Sequence, residues 1–130
     1  MIFDNILFHN VEELEETERG RLLRRLPLDE FERRVDRFTD ILARDGRMVC
    51  ATSIFGFNGD DEKQILAREM REIVRKYTRG RLPFIDGLQL LDDSSLISAD
   101  GTHPSLAGIE QIADRWASYI KGQMGFIGYP

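Results

Sequence analysis

Residues Arg47-Met48-Val49-Cys50-Ala51-Thr52-Ser53-Ile54 form a nearly continuous run of apolar and β-branched residues. Such a run is typical of a parallel strand that is covered on both faces. The segment that follows, Phe55 to Asp61, holds two glycines and an asparagine and is predicted to be a loop. We therefore predict a buried strand whose carboxyl end opens into a loop.

Amphipathic helices are predicted on both sides of this strand. Pro27 opens the first helix and Gly46 ends it, as proline and glycine commonly do. The second helix begins at Asp60 and ends at Gly80. In each helix the apolar residues recur every three or four positions, which predicts a face turned towards a core. These residues are Leu28, Phe31, Val35, Phe38, Ile41 and Leu42 in the first helix, and Ile65, Leu66, Met70, Ile73, Val74 and Tyr77 in the second.

The remaining segments follow from the same patterns. A last helix opens at Pro104, and Gly122 to Pro130 is a glycine-rich tail. The apolar face of that helix is predicted to contain Leu106, Ile109, Ile112, Ala113, Trp116 and Ile120. The other assignments are a strand over Ile2 to Phe8, a helical excursion over Val11 to Leu26 interrupted near Gly20, a strand over Leu82 to Leu91, and a polar loop over Asp92 to Thr102.

Alternation of strands and helices predicts an α/β fold, with helices layered against a parallel sheet. Three strands are visible, whereas such a sheet usually has about five or six. The opening strand would then have an unpaired edge, which proteins normally cover. We expect that this edge pairs with another chain, or that the sequence is part of a longer protein.

Composition indicates one soluble globular domain, which we place at residues 1–121. The 130 residues are 42% hydrophobic and 32% charged, with a net charge of −5. Basic residues are interleaved with acidic ones, so a nucleic-acid partner is disfavoured. The sequence contains no run of about 18 apolar residues, so no transmembrane helix is predicted. The single cysteine, Cys50, excludes a disulfide within the chain, and with no signal peptide a cytoplasmic location is favoured.

Chemistry is indicated by the run Asp100-Gly101-Thr102-His103-Pro104-Ser105-Leu106-Ala107-Gly108. It follows the last predicted strand, and open α/β sheets bind ligands at the carboxyl ends of their strands. A carboxylate at Asp100 can hold one imidazole nitrogen of His103, which fixes the tautomer and leaves the other nitrogen to act as a base. The alternative is a surface loop in which Asp100 and Ser105 cap the helix and the histidine is solvated.

This run, followed by an apolar helix, resembles the last conserved block of the SGNH/GDSL hydrolases. The resemblance implies a three-layer αβα, flavodoxin-like sheet that here lacks its first strands. It also implies that His103 is the general base of a Ser-His-Asp triad, with Asp100 as its partner. The reaction would be hydrolysis of an acyl or O-acetyl ester, with no cofactor and no metal. The identity of the ester substrate is left open.

Two other parts of the family's machinery are harder to place. The Gly-Asp-Ser block that carries the family's nucleophile is not found in the sequence. The nearest string, Gly59-Asp60-Asp61, lacks the serine. The family's Gly-x-Asn-Asp block supplies an oxyanion donor, for which Asn5 and Asn10 are equal candidates. Neither has the family's glycine two residues earlier or its following aspartate. Each is equally well explained as a turn or cap asparagine.

Three explanations for the missing serine remain open. The chain is a truncated or partial gene product, a half-enzyme whose serine comes from a partner chain, or a degenerate relative. The sheet would be completed by a homodimer partner or by a missing N-terminal half. A degenerate relative would be non-catalytic and would bind a partner or small ligand through its sheet edge and strand carboxyl ends. A base without a nucleophile has nothing to activate, so we expect the isolated chain to be inactive.

Overall fold

The computed structural model describes residues 15–16, 22–23, 27–45 and 49–126. Nine elements occur in these ranges. In chain order they are β1 (Glu15–Glu16), β2 (Leu22–Leu23), α1 (Leu28–Arg44), β3 (Ala51–Thr52), α2 (Asp61–Thr78), β4 (Phe84–Ile85), α3 (Gly87–Leu90), a 3-10 helix (Ser94–Leu96) and α4 (Leu106–Phe126).

The predicted three-layer αβα, flavodoxin-like sheet of the SGNH hydrolases is wrong, because the described residues are mainly helical. β3 and β4 form a parallel sheet of two strands, with Ala51 opposite Phe84 and Thr52 opposite Ile85. β1 and β2 form a separate antiparallel pair. Strands of two residues each are too short and too few to form the middle layer of a sandwich.

The described part of the run at residues 47–54 is largely buried, as predicted, but little of it is strand. Residues 50–54 are all buried, whereas only Ala51 and Thr52 belong to β3. Beyond β3 the backbone leaves β4 and pairs elsewhere, because Gly56 N donates to Leu91 O at 2.7 Å and Asn58 N to Gly101 O at 2.7 Å. A buried run of this length does not by itself distinguish a long strand from an irregular extended segment.

A short helix, α3, also replaces part of the strand predicted over Leu82 to Leu91. The Asp86 carboxylate accepts a hydrogen bond from Leu88 N at 2.9 Å, and the Gln89 side chain accepts one from Asp86 N at 3.3 Å. This reciprocal capping box begins α3 and ends β4 at Ile85. The strand is therefore shortened by a local signal that lies inside the apolar run.

The two helices predicted around β3 are confirmed. α1 follows Pro27 directly, and α2 follows Asp60, whose carboxylate accepts a hydrogen bond from Lys63 N at 2.9 Å. The helices pack against each other and against β3. Their shared core consists of Phe31, Val35, Ala51, Ile54, Phe57, Ala67, Met70, Ile73 and Val74.

Parts of the predicted apolar faces lie outside this core. In α1 the buried residues are Phe31, Val35 and Thr39, which form one row with a spacing of four. Phe38 and Ile41 belong to neighbouring rows and are 53% and 51% exposed. Helices pack through such single rows of side chains, so the buried stripe is narrower than the apolar stripe. Ile65 in α2, and Leu106 and Ile109 in α4, are also exposed.

α4 packs through partly buried side chains, among them Ile112, Trp116 and Ile120, and through hydrogen bonds of its polar side chains. Between residues 106 and 123 the only buried residue is Gly108, where an added Cβ would lie 2.5 Å from Leu96 O. Three side chains spaced four residues apart donate to backbone carbonyls of the segment from β4 through α3. These hydrogen bonds join Gln111 Nε2 to Leu90 O (3.1 Å), Arg115 Nη1 to Gln89 O (2.9 Å) and Tyr119 Oη to Phe84 O (3.0 Å).

Three further differences concern the ends of the chain. The short strands β1 and β2 occur where a helical excursion was predicted over Val11 to Leu26, and Gly20 falls between them. The strand predicted over Ile2 to Phe8 lies outside the described residues. α4 continues through Phe126, into the predicted tail. Among the described helices, none is both long and apolar enough to cross a membrane.

Candidate functional site

The Asp100–His103 segment forms a tight turn between the 3-10 helix and α4. Ser98 N donates to His103 O at 2.8 Å, and Gly101 N donates to Ser98 O at 3.0 Å. Gly101 has a φ of +77°, a left-handed conformation that glycine adopts without steric cost. The turn therefore folds the chain back so that the side chains at both of its ends are close together.

The predicted contact between Asp100 and His103 is confirmed. Asp100 Oδ2 lies 2.5 Å from His103 Nδ1. Asp100 Oδ1 accepts hydrogen bonds from Thr102 N at 2.8 Å, His103 N at 2.9 Å and Ser98 Oγ at 2.9 Å. The carboxylate is thus held by the turn's own backbone and in turn holds one ring nitrogen of the histidine. The catalytic role of the pair stays a prediction.

Hydrogen bonds to Asp100 favour its ionised form. The largest contribution is from the backbone N–H of His103, followed by the His103 ring, the backbone N–H of Thr102 and the hydroxyl of Ser98. Together they hold the pKa of Asp100 well below its ordinary value of 3.8. The carboxylate is therefore charged throughout the pH range in which an imidazole base works.

We expect an acid titration to show this directly. Because the folded-state pKa of Asp100 is lowered, its contribution to stability is present above pH 3.8 and is lost as the pH falls through the lower, folded-state value. Carbon-13 NMR of the Asp100 carboxyl group should give a midpoint clearly below 3.8. Ser98→Ala removes one donor and should raise that midpoint. A midpoint at or above 3.8 in the unmodified chain would contradict the hydrogen bonding described above.

The pair is open to solvent. The side chain of His103 is 64% exposed and that of Asp100 is 50% exposed. Because Nδ1 faces the carboxylate, Nε2 is the ring nitrogen through which the imidazole would exchange a proton with a reactant. The arrangement can therefore orient and polarise a base, but water reaches it as it stands.

The six serines of the sequence all lie among the described residues. Ser98 Oγ donates to Asp100 and to His103 O, on the carboxylate side of the pair. Ser105 Oγ accepts a hydrogen bond from Gly108 N at 3.1 Å, which confirms its prediction as a serine at the start of a helix. Ser53 Oγ accepts from Gly87 N at 2.9 Å, and Ser95 Oγ donates to Asp93 at 2.7 Å. None of these contacts is to the imidazole.

The predicted oxyanion donors, Asn5 and Asn10, lie outside the described residues. An asparagine that sequence reasoning missed, Asn58, contacts the turn instead. Its backbone N–H donates to Gly101 O, and its side-chain Nδ2 donates to Ser94 O at 3.2 Å. Gly56-Phe57-Asn58 has the Gly-x-Asn spacing that was sought only near the N-terminus. That spacing, directly after a buried run, was the available signal.

Asn58 also holds the turn in place. Its two hydrogen bonds attach the loop after β3 to both the Asp100–His103 turn and the 3-10 helix. A Cβ on Gly101 would lie 2.8 Å from Asn58 O, so glycine is needed at this contact as well as for the turn. The Asp100–His103 pair is therefore positioned by the loop after β3 and not by a strand of a large sheet.

Within the described residues, no group of three or more His, Cys, Asp or Glu side chains is arranged to hold a metal ion. No protein-family model, curated protein or solved structure matches the chain. The resemblance to the SGNH/GDSL hydrolases consequently depends on the Asp100 to Gly108 run and on the geometry of its Asp–His pair.

Proposed function

We propose that Asp100 and His103 are the acid–base pair of an ester hydrolase that uses the Ser-His-Asp mechanism of the SGNH/GDSL type. The observation that supports this most is the double role of the Asp100 carboxylate. One oxygen accepts hydrogen bonds from two backbone N–H groups, while the other holds His103 Nδ1. An aspartate that only capped the helix would not need its second oxygen on the imidazole.

In this mechanism the carboxylate keeps the proton of the neutral imidazole on Nδ1. Nε2 then removes the proton of a serine hydroxyl as the hydroxyl attacks the ester carbonyl. The resulting imidazolium is stabilised by Asp100 and gives the proton to the departing alkoxide. A water molecule, activated by the same nitrogen, hydrolyses the acyl-serine and restores the free hydroxyl.

The nucleophilic serine is proposed to come from a second polypeptide. The hydroxyls of Ser98 and Ser105, the serines nearest to the pair in sequence, are engaged with the carboxylate and the helix backbone. The exposed imidazole is accessible to a hydroxyl on another chain. Docking of that chain would also exclude water from a pair that is open without it.

Hydrolysis of p-nitrophenyl acetate tests this proposal in two preparations: the chain alone, and the chain purified together with its cellular partners. In the second preparation His103→Ala should lower the rate by about 100-fold, a typical contribution of a general base. In the first, unmodified and His103→Ala chains should both be near background. His9→Ala, at the other histidine of the sequence, is the matched control. It corrects for the slow, uncatalysed reaction of imidazole groups with this ester.

Fluorophosphonate labelling identifies the nucleophile in the same samples. We expect a labelled serine on a co-purified polypeptide, and no labelling when His103 is alanine. Activity and labelling in the chain alone would place the nucleophile in this chain and contradict a supplied serine. Equal rates for the unmodified and His103→Ala chains in both preparations would show that the pair is not a hydrolytic base.

A further inference from the structure

A cleft of about 240 Å³ lies at the carboxyl ends of β3 and β4. One wall is α2, which contributes Arg68 and Arg71. The other walls include Gly56, in the loop after β3, and Asp92, in the segment after α3. It shares Asp86 with a neighbouring hollow of about 500 Å³. Clefts at strand carboxyl ends commonly bind ligands in proteins with parallel strands.

Arg71 is a buried charge in the wall of this cleft. It is 6% exposed, and its Nε and Nη2 atoms donate to Ile54 O and Phe55 O, each at 3.0 Å. No carboxylate of the described residues lies within ion-pair distance of it. Buried charges in proteins are normally paired, because desolvation of an isolated charge is costly. Asp86 and Asp92 lie near enough to favour the charged form of Arg71, but neither contacts it directly. A directly bound anion is therefore the group that this side chain lacks.

One nitrogen of the Arg71 guanidinium, Nη1, is not used in hydrogen bonds to the described residues. Its Nη1 has no hydrogen-bond partner among the described residues, in contrast to Nε and Nη2. It is nevertheless accessible to solvent, because Thr39 Oγ1 is the only fully buried side-chain polar atom without a partner in that part of the chain. Nη1 is thus the nitrogen of this cleft-lining side chain that a ligand could contact.

A second positively charged side chain lines the cleft near Arg71 and could also contact an anion. Arg68 lies one helical turn earlier, lines the same cleft and forms no ion pair with the described residues. Arg75, one turn later, is neutralised by Asp86, with Nη2 to Oδ2 at 2.5 Å. Two carboxylates, Glu72 and Asp92, also line the cleft. These carboxylates would weaken the attraction of an anion without pairing with Arg71.

We propose that this cleft binds a small ligand through an oxyanion group, a carboxylate or a phosphate, held by Arg71 Nη1 and the guanidinium of Arg68. Arg71 offers one nitrogen, Nη1, because its other two are held by backbone carbonyls, whereas the planar fork of Arg68 can match two oxygens at once. The two carbonyls that hold Arg71 fix its orientation before the ligand arrives, which lowers the entropic cost of binding. The proposal is independent of the ester hydrolase.

Isothermal titration calorimetry of the full chain with inorganic phosphate and with succinate tests the site, with chloride at equal ionic strength as the reference. We expect saturable binding of at least one oxyanion and none of chloride. Phosphate binding alone identifies phosphate-bearing ligands, and succinate binding alone identifies carboxylates; either result supports the site. Absence of saturable binding of both would overturn the proposal.

Charge variants then locate the site. Arg68→Gln should weaken binding roughly fivefold, and Asp92→Asn should strengthen it by a similar factor, as expected for exposed charges a few ångströms from the ligand. Arg37→Gln, an exposed arginine of α1 outside the cleft, is the matched control and should leave the affinity unchanged. Equal effects of Arg68→Gln and Arg37→Gln would mean that the ion responds only to net charge, and would also overturn the proposal.

Discussion

Replacement of Gly87 by alanine is expected to destabilise the protein by about 3 kcal/mol or more, at the upper end of what overpacking costs. A Cβ on Gly87 would lie 2.2 Å from Ile54 O and 2.4 Å from Ser53 O. Neither atom can move away easily. Ser53 Oγ accepts a hydrogen bond from Gly87 N, and Ile54 O accepts one from Arg71. The methyl group would therefore separate the start of α3 from the end of β3.

Urea unfolding followed by circular dichroism measures this loss. Gly122→Ala is the control, because an added Cβ there has nothing within 4 Å and the site lies inside α4. That substitution should be neutral or stabilising by up to about 1 kcal/mol, the helix-propensity difference between glycine and alanine. If Gly87→Ala unfolds at the same urea concentration as the unmodified chain, the close approach of α3 to β3 is incorrect.

Phe31→Ala should destabilise the protein by about 3 to 5 kcal/mol, as is usual when a buried aromatic side chain is removed. Phe31 is 4% exposed and lies in the core shared by α1, α2 and β3. Its loss leaves a cavity at the main helix–helix contact, where the surrounding side chains can close only part of the space. The same urea titration measures the change.

Phe38→Ala is a matched test on the same helix. Its side chain is 53% exposed, so truncation should cost less than about 1 kcal/mol, as for most surface positions. Sequence periodicity alone predicts equal losses for the two phenylalanines. Comparable destabilisation by both substitutions would show that the packing row Phe31, Val35 and Thr39 is not the one that faces α2.

This pair illustrates what the sequence can predict about the core. Periodicity correctly indicates that α1 is amphipathic, because it depends only on spacing along one helix. Which apolar row is buried depends on the angle at which α2 crosses α1, a property of two helices together. Pro27 and Asp60, in contrast, are local signals, and both helix starts were predicted correctly from them.

The sheet was mispredicted for a related reason. The residues of the run at 47–54 indicate burial, but strand length depends on what the neighbouring backbone pairs with. Gly56 and Asn58 pair with Leu91 and Gly101, both distant in sequence, and this ends the ladder after two residues. α3 could have been recognised, because Asp86 and Gln89 have the spacing of a capping box.

The contacts of the candidate site are also of two kinds: local contacts, which the sequence can predict, and contacts between distant residues, which it cannot. Asp100 and His103 are three residues apart, so one turn suffices to bring them together, and their contact could be predicted. Asn58 reaches Gly101 only because the loop after β3 crosses to that turn. No spacing within the sequence gives such a contact. The arginine-lined cleft likewise depends on how α2 lies over the ends of β3 and β4.

The attachment of α4 has a thermodynamic consequence. Its ties to the rest of the protein include the hydrogen bonds of Gln111, Arg115 and Tyr119 and several partly buried apolar side chains. Gly108 is the only fully buried residue between positions 106 and 123. Release of this helix would leave the buried core between α1 and α2 intact, so it would carry a smaller heat-capacity change than global unfolding. α4 is then expected to behave as a separate cooperative unit, opening below the free energy that unfolds the α1–α2 core.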